Sequence, residues 1–139
     1  MKGRWREGSL RLRITPSELA SLQKGHPARE ILRLPVSRDY GWTVVVMPQA
    51  LATTLCRSGS IFCIDLSGED LARLSENSTE GVYFQYVDET GVTTDFAYYI
   101  EKDFPCVHPR PSEVNEAEDE TFETPVDFEA RKLQSKVLC

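Results

Sequence analysis

The chain has no long hydrophobic run. No stretch approaches the ~18 consecutive apolar residues of a membrane-crossing helix, so the sequence reads as one that does not span a bilayer. Its opening, MKGRWREGSLRLR, carries basic residues with no apolar segment behind them. That pattern does not fit a secretory leader and points to the cytoplasm. Histidine is scarce, with two residues in 139, and the four cysteines (Cys56, Cys63, Cys106 and Cys139) form no CxxC pair. Zinc-finger and dithiol-redox templates therefore do not fit, and no metal or cofactor is expected. In a cytosolic chain the thiols should be reduced. Phosphate loops, dinucleotide fingerprints and nucleophile elbows are absent as well. An excess of positive charge is also missing: the net charge is −6 and the isoelectric point about 5.0, which argues against a nucleic-acid groove.

The distribution of charge says more than its total. From Glu113 to Glu129 there are eight acids and no base, whereas residues 1–112 hold 14 acids against 13 bases. Within that near-neutral body, Lys2, Arg4, Arg6, Arg11 and Arg13 crowd the first thirteen residues. The expected organisation is one domain over residues 1–112, followed by an acidic, partly disordered tail over 113–139. Attraction between the basic head and the acidic tail would be partial and salt-sensitive, with Phe122 and Phe128 as apolar anchors.

Two segments share a plan. SLRLRITPSELASL at 9–22 and IFCIDLSGEDLARL at 61–74 each read as an alternating strand, a capping box and a short helix, with leucines matched at an offset of 52. Thr15 and Ser67 are the N-caps, with Glu18 and Asp70 reaching back. Continued without a gap, the offset maps 28–34 onto 80–86 and 41–47 onto 93–99 as further strands. Residues 51–57 form another strand, turning through Ser58-Gly59 into the next. A three-residue loop, Glu89-Thr90-Gly91, keeps Val82, Phe84 and Tyr86 on one face with Phe96, Tyr98 and Ile100. The expected fold is α+β: a largely antiparallel sheet, curled or barrel-like, with two short helices. It comprises two β-α-β-β units, about 9–47 and 61–99, related by internal pseudo-duplication. Apolar residues on the outward faces (Val45, Ile61, Cys63, Tyr83) suggest a barrel lumen or a self-association face, and so a candidate homodimer.

Three patches together resemble a small family of uncharacterised bacterial proteins: SLRLRIT at 9–15 leading to Ser17-Glu18, IEKDFPC at 100–106, and Glu118-Asp119-Glu120 shortly before Pro125. The resemblance covers roughly residues 8–125 and implies no activity, cofactor or catalytic residue.

The residues that carry chemistry are few. Cys106 and His108 project to the same side of an extended chain, with Lys102 and Arg110 near enough to favour a thiolate. A nucleophile would also need an orienting group and an oxyanion hole, and neither is visible. Cys56 and Cys63 read as diagonal neighbours ~7–8 Å apart, too far for an easy disulfide. Arg11 and Arg13 share one strand face, and Arg29 and Arg33 share another; on paired strands these four would form an anion site. His26 belongs to an exposed loop. The reading that follows is a small cytoplasmic binding or interaction domain without an evident catalytic motif. A small anionic ligand or a protein is the candidate partner, rather than nucleic acid or membrane. The alternatives are a thiol enzyme or redox sensor on Cys106, and an anion-binding domain on the strand arginines.

Overall fold

The computed structural model describes residues 1–33, 41–105, 120–127 and 130. Both helices start where the sequence places a cap. Helix α1 (Pro16–Gln23) has Thr15 as its N-cap: the Glu18 N–H donates to Thr15 Oγ1 at 3.3 Å, and the Thr15 N–H donates to Glu18 Oε2 at 2.9 Å. Proline at the first helical position removes a donor that would have no intrahelical partner. Helix α2 (Gly68–Ser75) is capped by Ser67, whose Oγ accepts from the Asp70 N–H at 3.0 Å. Asp70 fills the capping-box role differently from the expectation. Its side chain is one methylene shorter than glutamate and does not bond the cap N–H directly. The Thr53 hydroxyl bridges instead, accepting from the Ser67 N–H at 2.9 Å and donating to Asp70 Oδ2 at 2.6 Å. Leu19 and Leu22 of α1, with Leu71 and Leu74 of α2, are buried in one shared core.

The strands are β1 (Lys2–Arg6), β2 (Ser9–Ile14), β3 (Ala28–Arg33), β4 (Gly41–Ala50), β5 (Thr54–Ser58), β6 (Ile61–Ser67), β7 (Gly81–Val87) and β8 (Thr93–Lys102). They form two open four-stranded sheets, ordered β1-β2-β8-β7 and β3-β4-β6-β5, and neither closes into a barrel. Each sheet is mostly antiparallel, with one parallel pair at its centre: β2 with β8, and β4 with β6. Leu10, Leu12 and Ile14 of β2 are fully buried, as are Ile64, Leu66 and Ile100; Val44, Val46, Val82 and Tyr98 complete the inner faces. Across the gap between sheets, Trp5 of β1 meets Phe62 of β6 edge-on at 4.8 Å; within the second sheet, Trp42 of β4 stacks on Phe62 at 5.3 Å. No helix among the described residues is long and apolar enough to cross a membrane.

Strand β1 was not expected. It pairs with β2 from Lys2↔Arg13 to Arg6↔Ser9, and the β5/β6 pairing from Thr54↔Asp65 to Ser58↔Ile61 repeats that register at an offset of 52. The offset does not continue unbroken. Ala28 pairs with Val46, but Val82 pairs with Ile100, so these hairpins correspond at 54; Val82 lies two residues farther from the end of α2 than Ala28 does from the end of α1. Side chains alternate with period two, so an even shift moves partners without turning faces over. Two hairpins show the same kind of shift. The three-residue loop before β8 forms as expected, with Gly91 at φ 83, yet a bulge beyond Gln85 sets Phe84 opposite Tyr98 rather than Phe96. The β5–β6 turn is Gly59-Ser60, not Ser58-Gly59, with Gly59 at φ 59. Strand β4 continues past Pro48 to Ala50, and Gln49 takes φ 72 where the register shifts.

Candidate functional site

On the outer face of the first sheet, the strand registers stack side chains in rows across four strands. Arg4, Arg11, Tyr99 and Tyr83 form one row, and Arg6, Ser9, Ala97 and Gln85 the next. Lys2, Arg13, Glu101 and Gly81 form a third. Only a glycine fits easily at position 81, because a Cβ there would lie 2.8 Å from the Ile100 carbonyl oxygen. The short side chains of Ser9 and Ala97, on the two central strands, leave the middle of their row low. The resulting open basin of about 480 Å³ is lined by Arg4, Arg6, Ser9, Arg11, Tyr83, Tyr99 and Glu101.

The cations of this face divide into two groups. Lys2 and Arg13 approach the nearly buried Asp103 carboxylate at 3.2 and 3.9 Å, and Arg11 Nε donates to Glu101 Oε2 at 2.6 Å. Among the described residues, Arg4 and Arg6 have no acidic partner within ion-pair distance. Tyr83 and Tyr99 sit ring against ring at 5.4 Å. Burial, and then the charge of Glu101, push the Tyr83 hydroxyl above its ordinary value of 10.0, so at neutral pH it remains a donor. The basin therefore presents guanidinium and phenol donors around a net positive floor, the arrangement that receives oxyanions.

Of the four arginines expected to act together, the structure unites only two. Arg11 and Arg13 are on β2 of the first sheet, whereas Arg29 and Arg33 are on β3 of the second; β2 and β3 are not paired. Arg4 and Arg6 take their place. Their signal was the alternation Lys2-x-Arg4-x-Arg6, at the offset of 52 from the strand 54–58. Cys106 and His108 lie outside the described residues, as do 113–119 of the acidic segment. His26 is exposed, as expected.

The IEKDF stretch is a structural joint. Lys102 Nζ donates to the Glu76 carbonyl at 2.6 Å and lies 5.6 Å from the Phe122 ring centre. Burial lowers the pKa of Lys102. The Asp103 N–H donates to the Ile14 carbonyl, the Phe122 N–H donates to the Asp103 carbonyl, and Phe104 meets Phe122 at 6.1 Å. Ser17 Oγ donates to Glu120 Oε2 at 2.5 Å. Residues 120–127 thus return to the domain, with Phe122 against Phe104 and Lys102 rather than on the basic head, and Glu120 at the start of α1 rather than on the arginine basin.

Cys56 and Cys63 are directly opposite on β5 and β6, not diagonal, because the turn lies one residue later than the sequence suggested. The Cys63 thiol donates to Asp65 Oδ1 at 3.5 Å. It is pushed up to about 12 by burial first, then by the charge and hydrogen bond of Asp65, with smaller effects from Cys56.

The model of a family of unknown function (DUF7009) matches residues 1–126. The chain belongs to this family. The DUF7009 match runs through both sheets and takes in the returning Phe122. No curated protein and no solved structure matches the chain.

Proposed function

We propose that this DUF7009 protein is a non-enzymatic binding domain that receives an oxyanion-bearing ligand, phosphate or carboxylate, on the outer face of its first sheet. The observation that carries the reading is the pair Arg4 and Arg6, without acidic partners among the described residues, beside Arg11 and the two tyrosines of the basin. Glu101, the one carboxylate among the basin's lining residues, is engaged by Arg11 at 2.6 Å, which supports binding over catalysis. The setting is a reducing one, the cytoplasm, where Cys56 and Cys63 remain thiols.

Calorimetry with inorganic pyrophosphate and citrate at low and high salt tests this. Binding is expected to weaken with salt. Replacing Arg4 and Arg6 with alanine should weaken it about tenfold or more, the lower range for charge-assisted hydrogen bonds. Arg29→Ala, on the other sheet, should leave it unchanged. Equal binding by the double variant would overturn the reading.

Self-association is a second reading. It draws on the outer face of the second sheet, where Ile31, Met47 and Ile61 are all exposed. Sedimentation across a dilution series reads it directly, and a constant monomer mass would dismiss it.

A further inference from the structure

The two sheets carry unlike chemistry at matching positions. At the offset of 52, Arg4, Arg11 and Arg13 of the first sheet correspond to Cys56, Cys63 and Asp65 of the second. Where one sheet presents guanidiniums, the other presents two thiols and a carboxylate. The three donor atoms all lie within 4.8 Å of one another, and none of the three residues is fully buried. Tetrahedral zinc, at ~2.3 Å from sulfur and ~2.0–2.2 Å from oxygen, holds its donors roughly 3.3–3.8 Å apart. The Cys63 to Asp65 separation of 3.5 Å is already in that range. The Cys56↔Cys63 pairing sits within a five-pair antiparallel ladder, so the donors are presented from rigid backbone.

We propose that Cys56, Cys63 and Asp65 bind a thiophilic divalent cation of the zinc type, with water in the fourth position. Two soft sulfurs select zinc, cobalt or cadmium over magnesium and calcium. The third donor distinguishes this site from a simple cross-strand thiol pair. Asp65 accepts the Cys63 S–H, so a metal entering between them takes the place of that proton. Both thiols release their protons to solvent on binding, and the affinity falls as the pH is lowered. An open fourth position makes the site exchangeable, unlike a closed four-ligand structural zinc.

The test uses the full chain, fully reduced and stripped of metal with a chelator. Co²⁺ is the spectroscopic probe, and Zn²⁺ is titrated against a chromophoric chelator. The expected result is one Co²⁺ per chain, with a thiolate-to-cobalt charge-transfer band in the near ultraviolet and visible absorption of tetrahedral intensity. Zn²⁺ should displace the cobalt. Cys56→Ser and Cys63→Ser should each lower affinity by more than the ~10- to 100-fold that loss of a supporting group costs. Asp65→Asn should weaken binding about tenfold and shift the visible bands while keeping the sulfur band. Cys106→Ser and Cys139→Ser should leave spectrum and stoichiometry unchanged, and far-ultraviolet circular dichroism confirms that each variant is folded. A cobalt spectrum without the sulfur band, binding that survives Cys63→Ser, or binding lost with Cys106 or Cys139 would each overturn the proposal.

Discussion

A thiol beside a carboxylate holds its proton, and Cys63 shows the consequence. Burial and Asp65 raise it from 9.0 to about 12, so at pH 8 it reacts as a thiol and not as a thiolate. In metal-free protein, Cys63 should therefore be alkylated by iodoacetamide more slowly than an unperturbed cysteine. Asp65→Asn should speed the reaction at pH 8, measured by mass spectrometry of the labelled peptide; an unchanged rate would mean that Asp65 does not govern this thiol. The stability linkage has a definite sign. The folded state holds the Cys63 proton more tightly than the unfolded state does, so its contribution is complete below pH 9 and is lost as the pH rises towards 12. At this scale the sequence was partly legible. Arg11 was visible as an outward residue of an alternating strand. The partnership of Arg11 with Arg4, and not with Arg29, depends on which strands meet in space, and local pattern does not carry that. The cysteine pair was misjudged by a single residue of turn position.

Helix caps and strand faces were the most readable elements, because each depends on chemistry within a few residues. The leucines at 19, 22, 71 and 74 are buried as the matched spacing indicates. Strand β1 escaped because its residues are exposed throughout and only Trp5 supplies an inward aromatic contact; the hydrophobic alternation that marks a strand is nearly missing. The Thr53 bridge escaped because it comes from outside the capping sequence. Thr53→Ala removes the hydroxyl that joins the Ser67 N–H to Asp70. The expected cost is about 1–2 kcal/mol of unfolding free energy. Thr53→Ser keeps the hydroxyl and should restore most of it. Urea denaturation of both variants checks this, and equal midpoints for alanine and wild type would show that the cap has no need of the bridge.

For the molecule as a whole, the returning segment sets where the chain can be shortened. Removing 128–139 leaves Phe122 on Phe104 and should lower the urea midpoint less than a cut that takes Phe122 with it. Removing 113–139 uncovers Phe104 and Lys102 and should cost about 1–2 kcal/mol, the value of a partly buried aromatic ring. Equal midpoints for the two truncations would show that the return adds nothing to stability. We read the common plan of the two halves as the trace of a duplication. A permutant that starts at Ala52, runs through Cys139 and a flexible linker to Met1, and ends at Leu51 should fold cooperatively; failure to fold would count against interchangeable units. The parallel pairs at the sheet centres bear on synthesis. Strand β2, whose three inward residues are wholly buried, receives its second neighbour only from β8, some 88 positions later. While the ribosome is still making the middle of the chain, one edge of that strand is open. Folding must wait for nearly the whole body to emerge, and nascent or prematurely ended chains carry an apolar strand edge that other strands can join.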